Sequence, residues 1–177
     1  ILVMNVEAFS TKKGTAFATR FLLSHDALMA IDESMTIKSP SSARSKNTER
    51  VGIGARYRRI MTGSPVTKSP MDLYQQCAFL SDDCLNMYSY YAFQSRYAVV
   101  IERQVATHSF KQVVGYRHLD ELKLKLDTFS FRVKKEECLD LPEKVYMRRE
   151  VELTDEQVRA YNDMKAVALA QVGGGLV

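Results

Sequence analysis

Cysteine is scarce in this chain of 177 residues, and the three present, Cys77, Cys84 and Cys138, show no metal-type pairing. An odd count without a signal peptide points to reduced thiols in a cytosolic compartment and away from a disulfide framework. His25, His108 and His118 are widely separated and lack a metal-ligand pattern, so structural or surface roles are expected of them. No apolar run approaches the roughly 20 residues that would span a bilayer, so no membrane partner is expected. The first residues, Ile1-Leu2-Val3-Met4, carry neither a targeting pattern nor an initiator methionine. The chain is therefore expected to be a non-secreted piece of a longer protein. Acidic residues nearly vanish over positions 38–59. Glu49 stands alone there among Lys38, Arg44, Lys46, Arg50, Arg56, Arg58 and Arg59. The overall charge is only +4, which is compatible with an anionic partner without requiring one.

With 46% hydrophobic residues the chain can bury a core. Residues 1–6 are short, apolar and β-branched, as a buried strand would be. Residues 14–24 read as a helix and 27–32 as a second strand. Ser39-Pro40-Ser41-Ser42 is a turn suited to cap a helix running to Gly52. Residues 59–62 form a third strand stopping at Gly63, and 70–80 a helix with Pro70 in its first turn. Alternating strands and helices argue for a parallel sheet with helices on both faces, an α/β fold.

The later residues change character. Residues 85–100 are rich in tyrosine and read as helix, as do 118–129 with their recurrent leucines. Residues 143–153 alternate in places, as a strand would. Thr154-Asp155-Glu156-Gln157 is a capping box. The helix after it places Val158, Tyr161, Met164 and Ala168 on one stripe and ends at Gly173-Gly174-Gly175. Tyr88, Tyr90, Tyr91 and Tyr97 are better read as helix packing than as base-stacking groups.

Two polar groups fall at the carboxyl ends of the expected strands, where ligands bind in such sheets. Asp32-Glu33 closes the run Ala27-Leu28-Met29-Ala30-Ile31, and Thr62-Gly63-Ser64-Pro65 follows Arg59-Ile60-Met61. An acidic pair beside a small polar turn suits nucleotide hydrolysis. The first carboxylate can hold magnesium through water, the second can orient or deprotonate the attacking water, and the turn can sense the terminal phosphate. The plainer alternatives are a polar strand end and an ordinary turn.

Met29-Ala30-Ile31-Asp32-Glu33-Ser34 with Ile37-Lys38-Ser39 resembles motif II of the Swi/Snf-type ATPases, helicase-related translocases on double-stranded DNA. Ile60-Met61-Thr62-Gly63-Ser64-Pro65-Val66 with Leu73-Tyr74 is similar to their motif III. Phe131-Arg132-Val133-Lys134-Lys135, Asp140-Leu141-Pro142-Glu143-Lys144-Val145-Tyr146 and Leu153-Thr154 with Gln157 and Tyr161 resemble the exit from their first lobe. Val3-Met4-Asn5-Val6-Glu7 resembles their motif Ib region more loosely. Ser34-Met35 departs from the family's usual Ala-His, and Ser64 stands where threonine is common.

The resemblance implies a partial RecA-like lobe over residues 1–80, a helical extension over 81–141, and over 142–177 a connector towards a second RecA-like lobe. It implies ATP and Mg2+ as cofactors, with Asp32 as the magnesium residue, Glu33 as the catalytic carboxylate and Thr62, Gly63, Ser64 and Pro65 as the coupling motif. Double-stranded DNA is the implied partner, with Lys38, Arg44, Ser10 and Lys12 as candidate contacts to its backbone; the basic stretch is otherwise a solvated helix face. No Gly-x-x-x-x-Gly-Lys-Ser/Thr phosphate loop occurs in these residues. The fragment alone is therefore expected to hydrolyse little or no ATP, and the phosphate-loop segment and the second lobe are expected elsewhere in the longer protein. The implied location is the cytoplasm, or the nucleoid or host cytoplasm for a viral source. The alternatives are a DEAD/DEAH-type helicase fragment and a non-catalytic module that binds nucleic acid or a partner.

Overall fold

The computed structural model describes residues 1–105, 108–134, 137 and 145–173. The chain divides into two units, Ile1–Arg132 and Val133–Val177. The Leu141-Pro142-Glu143-Lys144 stretch, Lys135, Cys138 and Gly174-Gly175 lie outside the described residues.

In the first unit, Leu28–Ile31 (β1) and Tyr57–Ile60 (β2) pair in parallel, with Leu28 opposite Tyr57 and Ile31 opposite Ile60. Between them lies Ala43–Gly52 (α2). The Ser42 hydroxyl accepts the Ser45 N–H at 3.1 Å and satisfies one open amide of the first turn. Lys12–Ser24 (α1) precedes β1, capped in the same way by Thr11, whose hydroxyl accepts the Gly14 N–H. After β2, a 3-10 turn at Pro70–Asp72 leads into Leu73–Leu80 (α3). Parallel strands joined through helices confirm the α/β reading, with flanking helices on a partial RecA-like sheet.

Residues 1–5 differ from the expectation. They alternate between exposed and half-buried as a strand would, yet they belong to no ladder, and Val6–Ser10 is a 3-10 turn. Alternation only sets which side chains turn inward, whereas a strand also needs a backbone partner. Met4 and Val6 still pack on the cluster of Phe9, Ala18 and Val51. A second cluster, Ile31, Ile37 and Phe79, lies under the sheet. Ile37 and Phe79 have no exposure at all, and burial contributes about 2 kcal/mol for each. Gly52 lets Phe79 approach: a Cβ there would stand 2.7 Å from Phe79 Cε2.

Residues 85–100 are helical only over Tyr90–Tyr97 (α4). From Ala98 the chain forms Ala98–Val105 (β3), antiparallel to His108–Tyr116 (β4), with an irregularity between Val99 and Val100. The β-branched run Val99-Val100-Ile101 favours extended backbone and overrides the helix. Leu119–Asp127 (α5) completes this part. Met71, Leu73 and Cys77 share one core with Leu85, Phe93, Tyr97 and Leu122. Tyr97 and the half-buried Tyr90 pack as expected, but Tyr88 and Tyr91 are exposed.

Glu121 on α5 holds this region to α4. It pairs with Arg96 and accepts the Tyr97 hydroxyl at 3.0 Å. Arg96 above all, helped by Tyr97 and Lys125, pulls the Glu121 carboxyl down to about 2. Burial, then Glu121, pushes the Tyr97 phenol up to about 12.

In the second unit, Asp155–Gly173 (α6) begins at the expected capping box. The Thr154 N–H donates to Gln157 Oε1 at 3.0 Å, and the Gln157 N–H donates to Thr154 Oγ1 at 3.4 Å. The expected strand over 143–153 is not formed in its described part, 145–153, which belongs to neither helix nor strand.

Candidate functional site

The parallel register of β1 and β2 brings their carboxyl ends side by side, and backbone bonds keep the chains together beyond the strands. The Met61 N–H donates to Ile31 O at 2.9 Å, and the Ser34 N–H donates to Met61 O at 3.0 Å. Asp32 and Glu33 leave the sheet at this point, both exposed, while Ser34 turns inward to full burial.

Glu33 adopts a left-handed backbone, φ 51° and ψ 56°. This costs a side-chain-bearing residue about 1–2 kcal/mol, so surrounding bonds must impose it. Here the Glu33 N–H donates to Asp32 Oδ1 at 2.9 Å, and Glu33 O accepts the Thr36 N–H at 2.9 Å, closing the 3-10 turn Ser34–Ile37. The result points the Glu33 carboxylate towards the end of β2. There the Thr62 hydroxyl donates to Glu33 Oε2 at 3.3 Å and accepts the Ser64 N–H at 3.2 Å. The two sequence-read groups thus meet through Thr62. Gly63 has open space where a Cβ would stand, and its φ lies outside the left-handed region.

Asp32 Oδ2 accepts no hydrogen bond among the described residues and faces solvent. Magnesium commonly takes one or two carboxylates, keeps several waters and binds substrate phosphates, so Asp32 fits a water-bridged ion. Among the described residues there is no group of three His, Cys, Asp or Glu that could form an all-protein cage.

Two residues that the sequence reading passed over hold the polar loop. Gln76, on α3 and 1% exposed, accepts the Ser34 hydroxyl at 2.7 Å. Its amide nitrogen donates to Pro65 O and Asp72 O, each at 2.8 Å. Asp72 accepts the N–H groups of Thr67 and Lys68 at 3.0 and 2.9 Å and the Thr67 hydroxyl at 2.8 Å. Burial works to raise the Asp72 carboxyl, but Lys68, Thr67 and then Lys38 together hold it below its ordinary value. The only sequence signal was a Gln-Gln pair inside an otherwise apolar helix.

The candidate DNA contacts are dispersed. Lys38 pairs with Asp72 at 3.6 Å and also bonds Thr67, so its charge is turned onto the loop. Arg44 lies 3.8 Å from Glu7. Ser10 and Lys12 flank the Thr11 cap of α1, and both are exposed. Cys77 is buried and its thiol is pushed up to about 12, chiefly by burial, so it is inert packing. Thr62, Pro65 and Gln76 line one end of a groove of about 900 Å³, which follows β2 to Phe129. Among the described residues no helix is long and apolar enough to cross a membrane.

Comparison with known proteins gives the same direction. Residues 18–176 match the family described as the SNF2-related domain. The chain is 32% identical over 136 residues to TATA-binding protein-associated factor MOT1 of Saccharomyces cerevisiae, covering 75% of this chain and 7% of that protein. It is 28% identical over 134 residues to human TATA-binding protein-associated factor 172, again 75% of this chain and 7% of that protein. The chain thus spans a small part of the length of these relatives. No solved structure matches it significantly. The parallel strands, the acidic pair at their ends and the matched family model agree: the chain belongs to the SNF2-related domain family, the Swi/Snf-type ATPases.

Proposed function

We propose that this chain is the hydrolytic part of the first lobe of a DNA-dependent ATPase that moves along double-stranded DNA. Residues 1–80 supply the site, residues 81–141 are the helical extension, and residues 142–177 the connector towards a second lobe. Asp32 would hold magnesium through water. The ion would neutralise charge on the ATP phosphates when bound. Glu33 orients the attacking water and draws its proton. Thr62 fixes the Glu33 carboxylate, and the turn through Gly63, Ser64 and Pro65 passes nucleotide state to the grip on DNA.

The observation that carries this reading is the Thr62–Glu33 hydrogen bond at the carboxyl ends of two paired parallel strands. It joins the hydrolytic carboxylate to the sensor turn without an intervening residue. Ser10 and Lys12 are the exposed candidates for DNA phosphates. Lys38 and Arg44 would first have to leave Asp72 and Glu7. Much of the affinity for nucleotide in such enzymes comes from a phosphate-loop cradle, which these residues lack, so the chain alone should turn over little or no ATP. The test is ATP hydrolysis by the full-length protein with and without duplex DNA, beside its Glu33→Gln form. Hydrolysis stimulated by DNA and lost in the variant supports the reading. Binding of DNA without hydrolysis by a folded full-length protein would replace it with a non-catalytic module.

A further inference from the structure

The exposed Thr62–Glu33 contact is a weak mechanical link, because water competes for both groups. A sturdier route runs beneath it. Ser34 follows Glu33 directly, and its backbone is fastened to Met61. Its hydroxyl meets Gln76, and Gln76 meets the Pro65 carbonyl at the far end of the polar turn. Ser34 is 0% and Gln76 1% exposed. Two carbonyl oxygens surround the amide nitrogen and one hydroxyl faces the amide oxygen, so donors and acceptors match without strain. A buried network with every member satisfied is stiff, and breaking one bond leaves groups that water cannot reach. The neighbouring Met35 side chain has no N–H or O–H with which to make such a link.

We propose that Gln76, acting with Ser34, is the positioning link that ties the Glu33 strand end to the Thr62–Pro65 turn. The inference rests on the reading of Glu33 as the hydrolytic carboxylate. Neither Gln76 nor Ser34 touches the reacting atoms. Displacing Glu33 shifts Ser34, and Ser34 draws on Pro65 through one side chain. The Lys38–Asp72 pair, with the Asp72 bonds to Thr67 and Lys68, holds the later part of the loop, and the Pro65 carbonyl is bonded by Gln76.

Amide hydrogen exchange on the 177-residue chain tests the link without any activity. In Gln76→Leu, and in the nearly isosteric Gln76→Glu if the first fails to fold, the Ser34 and Ser64 amides should exchange roughly tenfold faster, while β1, α3 and the Thr67 and Lys68 amides held by Asp72 keep their protection. Unchanged loop exchange, or an equal rise everywhere, would overturn the proposal. In the full-length protein, Gln76→Leu should lower kcat for ATP about tenfold and leave KM within about twofold. Adding Ser34→Ala should cost nothing further, because both residues serve one link. Normal kcat in Gln76→Leu beside a wild type that depends on Glu33 also overturns it. A wild type no faster than Glu33→Gln removes the hydrolytic reading instead, and hydrogen exchange then decides the link by itself.

Discussion

Thr62 donates its hydroxyl to Glu33 Oε2 across 3.3 Å, and 29 positions of sequence separate the two residues. Thr62 Oγ1 also accepts the Ser64 N–H, so one hydroxyl fixes both the carboxylate and the turn that follows it. Thr62→Val keeps the shape and removes both bonds. In the full-length protein this substitution should cut DNA-stimulated turnover by about tenfold or more. The melting temperature should move little, because the bonds lie near the surface. Full activity in Thr62→Val would remove Thr62 from the mechanism.

Glu33 carries local strain that glycine would relieve. Glu33→Gly should leave the 177-residue chain as stable as before, or more stable by up to about 1 kcal/mol, the released strain being partly offset by added freedom in the unfolded chain. Glu33→Val should destabilise it, because a β-branched residue tolerates the left-handed region poorly. Urea unfolding of both variants measures the difference. Equal losses would mean that φ 51° is not maintained in solution.

Two glycines offer a contrast. Gly52→Ala would drive a Cβ to 2.7 Å from the fully buried Phe79 ring and should cost about 1–3 kcal/mol. Gly63→Ala meets nothing within 4 Å and should be nearly neutral for stability. Loss of hydrolysis in Gly63→Ala with unchanged stability would place an incoming ligand or lobe against that backbone.

Glu121 has a carboxyl lowered from 4.5 to about 2. A lowered acid stabilises the fold above its unfolded value and loses that contribution as pH falls towards its folded one. Glu121→Gln should therefore melt earlier than wild type at neutral pH, and the gap should close as pH drops from about 4.5 towards 2. Tyr97 works at the other end. Raised from 10 to about 12, it favours the fold below 10 and loses that contribution as pH rises between those values. A gap between Glu121→Gln and wild type that stays constant with pH would show that the Arg96 pairing is absent in solution.

Much of the first part was legible because single residues carry strong local signals. Ser42 before α2 and the Thr154–Gln157 box satisfy open amides of a helix start, Pro70 before α3 removes one such amide, and each marks its element closely. Asp32-Glu33 and Thr62 were legible as strand ends. The strand expected over residues 1–6 was not formed, since inward alternation does not supply a ladder partner. The β3–β4 hairpin was hidden by the tyrosines before it, though the β-branched runs at Val99–Ile101 and Val113-Val114 were a usable signal. The role of Gln76 was not legible, since a Gln-Gln pair in an apolar helix names no partner. Gln76 lies 42 positions from Ser34, and a glutamine on a helix is ordinarily solvent-facing until the fold buries it. The left-handed turn at Glu33 is likewise held by its own bonds with Asp32 and Thr36 and by the Ser34 N–H bond to Met61 O, and the last of these joins residues far apart in sequence.

The most direct measurement is steady-state ATP hydrolysis by the full-length protein, with and without duplex DNA, in wild-type and Glu33→Gln forms at matched folding. Expected is a DNA-stimulated rate in wild type and a loss of about a hundredfold or more in the variant. A Glu33→Gln protein that hydrolyses ATP at the wild-type rate, or a folded wild type that binds duplex DNA and hydrolyses none, would contradict the assignment of Glu33.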